Sequence, residues 1–420
     1  MKTACTPARP SSLLVLIVLI AVAATVHGQV PIPAVSPKEE SVNHLIDAYW
    51  LAGKAVQLLL PLALLYWGYG ARLCRWINRQ VGGSRFFTTG LFGCTYVFLN
   101  ALLSLPIDYG RHYRLPKSLG WLGDESLGQW FLGQLLSLLP LLVAALLLLW
   151  IPYSLMRRTP RRWWLWATVA VAPIALFFLV IQPVWIKPLT AHYESLSDGQ
   201  LRASIDELAL RCGLTHVPVV VGGSDTAVYG IGPTVRVFLQ SDLSKDYTPA
   251  QIRFTVAHEL KHYVMGDNWQ VLPVVIGLAL AGFWLTYQIG SWAIDRLQQR
   301  FGFSVLDDPA SLPLLVLCTT VLWLAATPVF LLYNRHIERE ADRFALELSH
   351  ENEAAAHLFE SWAKQGTDWI QPDGFALAFF YTHPSISERM QMANSYRPWQ
   401  EGKPLRYGAI CSMPMSPESR

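Results

Sequence analysis

Thr248–Gly266 reads TPAQIRFTVAHELKHYVMG. Thr248 is an N-cap, Pro249 suits the first helical position, and Gln251 completes a capping box with Thr248. Gly266 is a helix stop. A helix is therefore predicted from Pro249 to Val264 or Met265, and it carries His258-Glu259-Leu260-Lys261-His262. Residues four apart share one helix face, one turn apart. Two imidazoles placed so can ligate one Zn²⁺, with the Glu259 carboxylate beside them able to take a proton from a metal-bound water. In a chain of this composition the pattern arises by chance on the order of 1–2% of the time, before a capped helix is required around it. The ordinary alternative is a buried structural pair of histidines.

An open zinc site needs a third protein ligand and leaves its fourth position to water. Residue 268 is Asn, so the extended metzincin pattern, with a histidine six residues after His262, fails. The next acid-rich stretch is NRHIEREAD at 334–342, read as a helix start directly after the last apolar run. Glu338 and Asp342 are again four apart. One carboxylate can bind zinc while the other accepts the outer N–H of a ligating histidine. Spacing alone leaves Glu338, Glu340 and His336 open, and a solvated helix start with acids favoured by the dipole is the plain alternative. A third cluster, THPSISER at 382–389, offers His383 as a donor to an oxyanion. A histidine before proline is otherwise a capped turn.

Around these motifs the segment 188–270 is polar. Ser197–Cys212 has helical periodicity and ends at Gly213, Val217–Val221 reads as a short buried strand, and Ala227–Ile231 with Thr234–Gln240 flank Gly232-Pro233 as a hairpin. The rest is apolar. Of 420 residues, 52% are hydrophobic and only 15% charged, against about 25% charged in a soluble domain. Mean hydropathy is +0.30. Disorder, a collagen-like fibre and an ordinary soluble globule are excluded. The net charge of +3, with no basic block interleaved with aromatics, gives no support for nucleic-acid binding.

A membrane-crossing helix needs about 20 apolar residues. Runs at 48–69, 86–106, 132–155, 164–187 and 313–333 qualify, and 272–292 is a sixth with a few polar interruptions. Leu13–Val26 is shorter, follows Lys2 and Arg9, and leads to Val26-His27-Gly28; it reads as a signal peptide or a first span. Trp50, Trp67, Trp150, Trp163, Trp164 and Trp185 lie near run ends, as an interfacial belt or plain packing predicts. Loops 70–85, 156–162 and 293–311 are arginine-rich, and the intervening 107–131 is mixed. The positive-inside rule puts the basic loops in the cytoplasm and the HELKH segment on the extracytoplasmic side. Six scattered cysteines without a CxxC pair give no disulfide framework or zinc ribbon.

The chain resembles the M48 metallopeptidases, in the Ste24-like, CAAX-protease branch and more distantly HtpX. The resemblance rests on AHELKHY at 257–263, NRHIEREAD at 334–342 and THPSISER at 382–389, and extends over about 45–395 through Leu105-Pro106-Ile107-Asp108-Tyr109, Gly120-Trp121 and the run at 126–130. It implies Glu338 as the third zinc ligand and puts the family's aspartate on Asp342. His383 and Arg389 would serve in substrate binding or transition-state stabilisation. Three departures stand out. Lys261 replaces the usual glycine and is expected on an exposed face. Asn334 replaces serine. Asp225 stands where the substrate-pairing edge strand begins with Asn, and it changes a donor-acceptor into an acceptor. In eukaryotic relatives the zinc domain faces the cytosol, opposite to the charge count here.

The expectation is thus a mainly α, multi-span integral membrane protein with a small α+β zincin-like domain of the gluzincin type. Its parts are 1–28 (signal peptide or first span), 45–187 (about four spans), 188–270 (HExxH part), 271–333 (two spans), 334–395 (third ligand and His383) and 396–420 (tail). The expected function is a zinc endopeptidase holding one Zn²⁺ by His258, His262 and Glu338, with Glu259 as base and His383 at the oxyanion. Asp342, Arg389 and Asp225 would be supporting or substrate-binding residues. Its partners would be the lipid bilayer and a peptide or membrane-associated protein substrate, and its place a bacterial inner membrane or equivalent. The alternatives are HtpX-like quality control without prenyl specificity, and a non-catalytic transporter or scaffold with a structural zinc.

Overall fold

The computed structural model describes residues 29–186, 192–223, 225–241, 243–365 and 369–411. The predicted signal segment 1–28 lies outside them. The chain is mostly helical, with one small sheet. Among the described residues, five helices are long and apolar enough to cross a membrane: Pro37–Tyr66, Arg85–Ser118, Leu127–Arg158, Asp267–Phe301 and Pro309–Ser349. The expected span at 164–187 is a shorter apolar helix, Trp163–Leu176, prolonged by π-helical turns through Ile186.

The elements of the membrane part follow from their ends. Helix α1 (Pro37–Tyr66) starts on Ser36, whose side chain accepts from Glu39 N, with proline in the first turn. Helix α2 (Tyr69–Gln80) is short and carries Arg72, Arg75 and Arg79. Helix α3 (Arg85–Tyr109) presents Gly90 and Gly93 to α4 (Leu127–Leu148). A Cβ on Gly90 would stand 2.6 Å from Leu146 O, so the two backbones approach as closely as small residues allow inside lipid. The run at 126–130 proves to be the start of α4: Ser126 and Gln129 form a capping box. Helices α5 (Trp150–Arg158) and α6 (Trp163–Leu176) complete the first half.

The polar domain starts with β1 (Tyr193–Ser195), α7 (Gln200–Arg211), β2 (Val219–Gly222), β3 (Ala227–Tyr229) and β4 (Arg236–Leu239). The sheet order is β1-β2-β4-β3. β2 and β4 are parallel, whereas β1–β2 and β3–β4 are antiparallel, so β3 is an edge strand and the predicted hairpin is present. Helix α8 (Pro249–Val264) has the predicted Thr248/Gln251 capping box. Gly266, at φ +65°, turns the chain sharply into α9 (Asp267–Phe301).

Helix α10 differs from expectation. NRHIEREAD does not begin a new helix, because α10 runs unbroken from Leu312 to Ser349. At 38 residues it is roughly 57 Å long, against a hydrocarbon core of about 30 Å. Its first half lies among apolar helices and its second half enters the polar domain. There Phe344 and Ala345 join Ile205, Val237, Val256 and Leu260 in one buried core. Helices α11 (Asn352–Gln365), α12 (Gly374–Phe379) and α13 (Ile386–Ser395) close that domain. Residues 396–411 fold back over it, bringing Tyr407 and Cys411 into the same core.

The cysteines depart from expectation. Cys212 and Cys411 form a disulfide across 199 residues, a separation at which no spacing pattern is readable. The free cysteines among the described residues are Cys74, Cys94 and Cys318, all in the membrane part.

The two ends of the bundle differ. At one end, Arg75 donates to Gly302 O (3.1 Å), Arg85 pairs with Asp307 (3.5 Å) and the Arg300 guanidinium lies over Tyr66. The basic loops therefore meet there. At the other end the polar domain is docked. Ile370 N donates to Glu39 (3.3 Å), Asn394 exchanges two hydrogen bonds with Val30, and Trp50 packs among Phe375, Phe379 and Phe380. Trp50 is thus a docking residue, while Trp67 and Trp185 are exposed in the manner of a belt.

Candidate metal centre

Helix α8 presents His258 and His262 on the face turned to α10, and α10 presents Glu338 to them. Glu338 Oε2 lies 3.1 Å from His258 Nε2 and 3.6 Å from His262 Nε2, and the two Nε2 atoms are 3.2 Å apart. Glu340, the alternative left open by spacing, points away to Arg343, Arg406 and Tyr407. His336 is exposed. Helical phase decides this: two residues along α10 is about 200° of rotation.

The outer nitrogens are also occupied. His258 Nδ1 donates to Asp342 Oδ1 (3.0 Å), and His262 Nδ1 donates to Asp267 Oδ2 (2.6 Å). A carboxylate only accepts, so these bonds put a proton on Nδ1 of each ring and turn both Nε2 atoms toward the Glu338 oxygen. Ring nitrogens and a carboxylate oxygen at such distances are held together by a proton or a cation lying among them. The three ligand atoms lie within 4.8 Å of one another. Two imidazoles with carboxylate partners and one carboxylate form a donor set that fits zinc.

Arg389 clamps Asp342 through Nε (2.8 Å) and Nη2 (2.7 Å), and its guanidinium lies over the Phe359 ring. Arg389 is 4% and Asp342 2% exposed. Arg389 therefore stands behind Asp342, which itself stands behind His258. His383, from the loop before α13, brings Nε2 to 3.2 Å from Glu338 Oε2, and Thr382 Oγ1 lies 2.9 Å from its Nδ1. Asn334 ties that loop to α10 by donating to Thr382 O (3.2 Å). Glu259 lines the same cleft beside the two histidines. Asp225 sits in the loop before β3 and is not among the residues lining the cleft.

Lys261 is not on an exposed face. It is 3% exposed and donates to Asp267 Oδ2 (2.7 Å) and Ile337 O (3.1 Å). The turn at Gly266 brings Asp267 beneath α8, where one buried carboxylate serves both Lys261 and His262. Asp267 escaped the sequence reading, because spacing rules along one helix do not reach around a helix break. An acid opening the next helix was its only signal.

Burial works against a charge on His258, yet the Asp342 and Glu338 carboxylates outweigh it and lift the imidazole to about 10. His262 is raised likewise, with burial outweighed by Asp267 and Glu338. Protons and a divalent cation thus compete for the same nitrogens. Burial pushes the Glu259 carboxyl up, against the pull of His258 and His262, which moves it toward the range of a useful base. The cleft holds about 700 Å³ and runs from the histidines along Val228–Ile231 at the edge of the sheet.

A helical membrane bundle carrying an HExxH helix and a carboxylate from a second helix defines a membrane-embedded zinc metalloprotease. The comparisons agree. Residues 195–397 match the model for peptidase family M48, and 48–191 match the CAAX prenyl protease N-terminal domain of five membrane helices. The chain belongs to peptidase family M48, in its Ste24-like branch. It is 28% identical to the uncharacterized metalloprotease YhfN of Bacillus subtilis over 84% of each chain. It is 23% identical to CAAX prenyl protease 1 of Saccharomyces cerevisiae over 70% of this chain and 69% of that one. The crystal structure of S. mikatae Ste24p superposes with a TM-score of 0.68 over 93% of this chain and 100% of that chain, at 18% identity, which shows the shared fold.

Proposed function

We propose that the chain is an endopeptidase that hydrolyses peptide bonds at a single zinc ion held by His258, His262 and Glu338. The observation that carries this reading is the convergence of both Nε2 atoms on one Glu338 oxygen, with both outer N–H groups taken by buried carboxylates. When bound, the ion supplies Lewis-acid polarisation of water and of the scissile carbonyl. Glu259 takes the proton of the attacking water and passes it to the leaving amine. His383 donates to the developing oxyanion. Asp342 and Asp267 hold the imidazoles in one tautomer, and Arg389 acts through Asp342 as a positioning residue. The substrate lies extended against the free edge of β3 as an added strand, with Asp225 at the start of that edge as an acceptor. Glu259→Gln tests the base. Cleavage falls by about 10²–10⁴-fold with bound zinc unchanged; retained cleavage would refute the assignment.

The centre faces the extracytoplasmic side in this reading. The basic loops gather at the end away from the polar domain, and positive loops stay in the cytoplasm. The Cys212–Cys411 disulfide sits in the polar domain, and such bonds persist in oxidising compartments. Val30, just after the signal-type segment, is bonded to Asn394 of the same domain. With this orientation the substrates are polypeptides on the outer side or emerging from the bilayer, and cytosolic prenylated CAAX chains would not reach the cleft. A membrane-impermeant thiol reagent, applied after reduction to sealed cells, is expected to label Cys212 and Cys411. Labelling only after permeabilisation would reverse the orientation.

A further inference from the structure

We propose that the segment Arg406–Cys411 is one wall of the substrate cleft, and that its Ile410, with Leu214 and Ile231, forms an apolar subsite selecting a bulky apolar side chain in the peptide. This rests on the reading of the cleft as a peptide site. The segment is held at two points. Arg406 N and Tyr407 N donate to the Glu347 carboxylate (3.0 and 2.8 Å), and Tyr407 OH donates to Glu340, so three bonds tie it to α10, the helix that bears Glu338. Cys411 then bonds covalently to Cys212, the C-cap of α7, whose Ile205 and Leu208 are fully buried. Gly213, at φ +77°, turns the chain so that Leu214 N reaches Ala209 O (2.9 Å) and Leu214 lines the cleft.

Between these anchors Ile410 is left 41% exposed and Ile231, just past the end of β3, 51% exposed, and both line the cleft that holds His258, His262 and Glu338. Both isoleucines thus offer apolar surface to the cleft that Val228 and Tyr229 of β3 also line. An extended peptide paired with β3 would carry a side chain past Gly230 into the space they border. Apolar walls fit an apolar side chain, and a charged one would lose its hydration without gaining a partner. Because the disulfide holds the wall, Cys411 is a positioning residue for Ile410.

The test compares zinc-loaded wild type, Ile410→Ala, Ile410→Asp, Ile231→Asp and Cys411→Ser in lipid nanodiscs. Quenched peptides carrying Ala, Leu, Phe or Asp at each successive position near the cleaved bond give kcat/KM, and labelled copies give affinity for the Glu259→Gln protein by anisotropy. We expect the wild type to favour Leu or Phe over Asp at one position by at least about tenfold. Ile410→Ala and Cys411→Ser should each lose most of that preference, and the two aspartate variants should abolish it, with zinc content unchanged. A profile indifferent to both aspartate substitutions overturns the subsite while leaving the hydrolytic reading intact. Conversely, an Ile410-dependent apolar preference in binding, with no cleavage by the wild type, supports the subsite and refutes the reaction.

Discussion

At the residue scale, the centre depends on what stands behind the ligands as much as on the ligands. His262 is oriented by Asp267, and Asp267 is in turn held by the buried Lys261. Removing such a carboxylate partner costs about 10–100-fold in metal affinity. Asp267→Asn is therefore expected to weaken zinc binding by that factor, measured by competition with a fluorescent chelator, while the helix content stays native. On the other side, Arg389 and Asp342 form a bidentate pair in near-complete burial. Arg389→Met leaves Asp342 half-partnered, and breaking such a pair costs about 3–5 kcal/mol. A fall in the melting temperature of the zinc-free protein would show it; an unchanged value would mean that the pair contributes nothing net. The motif THPSISER pointed to both His383 and Arg389. That they stand at different depths, one on the cleft and one behind Asp342, was not readable from their spacing.

At the element scale, α8 was legible almost to the residue, since its caps, its periodicity and its stop are all local. α10 was not. Its apolar run and its charged run looked like two segments because composition changes at Asn334, yet the backbone continues through the change. This continuity sets the phase between the membrane half and Glu338. Helix α3 gives a test of how the bundle is packed. Gly90→Leu must displace α4 at Leu146, and overpacking of this kind costs about 1–3 kcal/mol. Thermal unfolding in detergent should register that loss, and Gly53→Ala, where an added Cβ meets open space, should not.

At the scale of the whole molecule, a metal that ties α8 to α10 joins the two sequence-separated parts of the polar domain. Stripping it is expected to lower stability as well as activity. A ligand present at a thousand times its dissociation constant stabilises by about 4 kcal/mol, so chelation should depress the melting temperature by several degrees and added zinc should restore it. No shift on chelation would argue that nothing is bound at the centre. The charge count already set the basic loops on one side of the bilayer; the contacts of Arg75 with Gly302 and of Arg85 with Asp307 join two of them at one end of the bundle, away from the disulfide-bearing polar domain.

The sequence by itself determined the apolar spans, the capped HELKH helix and the short list of acids that could meet it, because caps, periodicity and hydropathy belong to contiguous residues. Spacing left open which acid faces the imidazoles and only the family resemblance pointed to Glu338, whereas what Lys261 and Asp267 do and how Cys411 returns to Cys212 were decided by tertiary structure alone. Each depends on the rotation of one helix against another or on closing a chain across many residues, and neither quantity is written in local spacing.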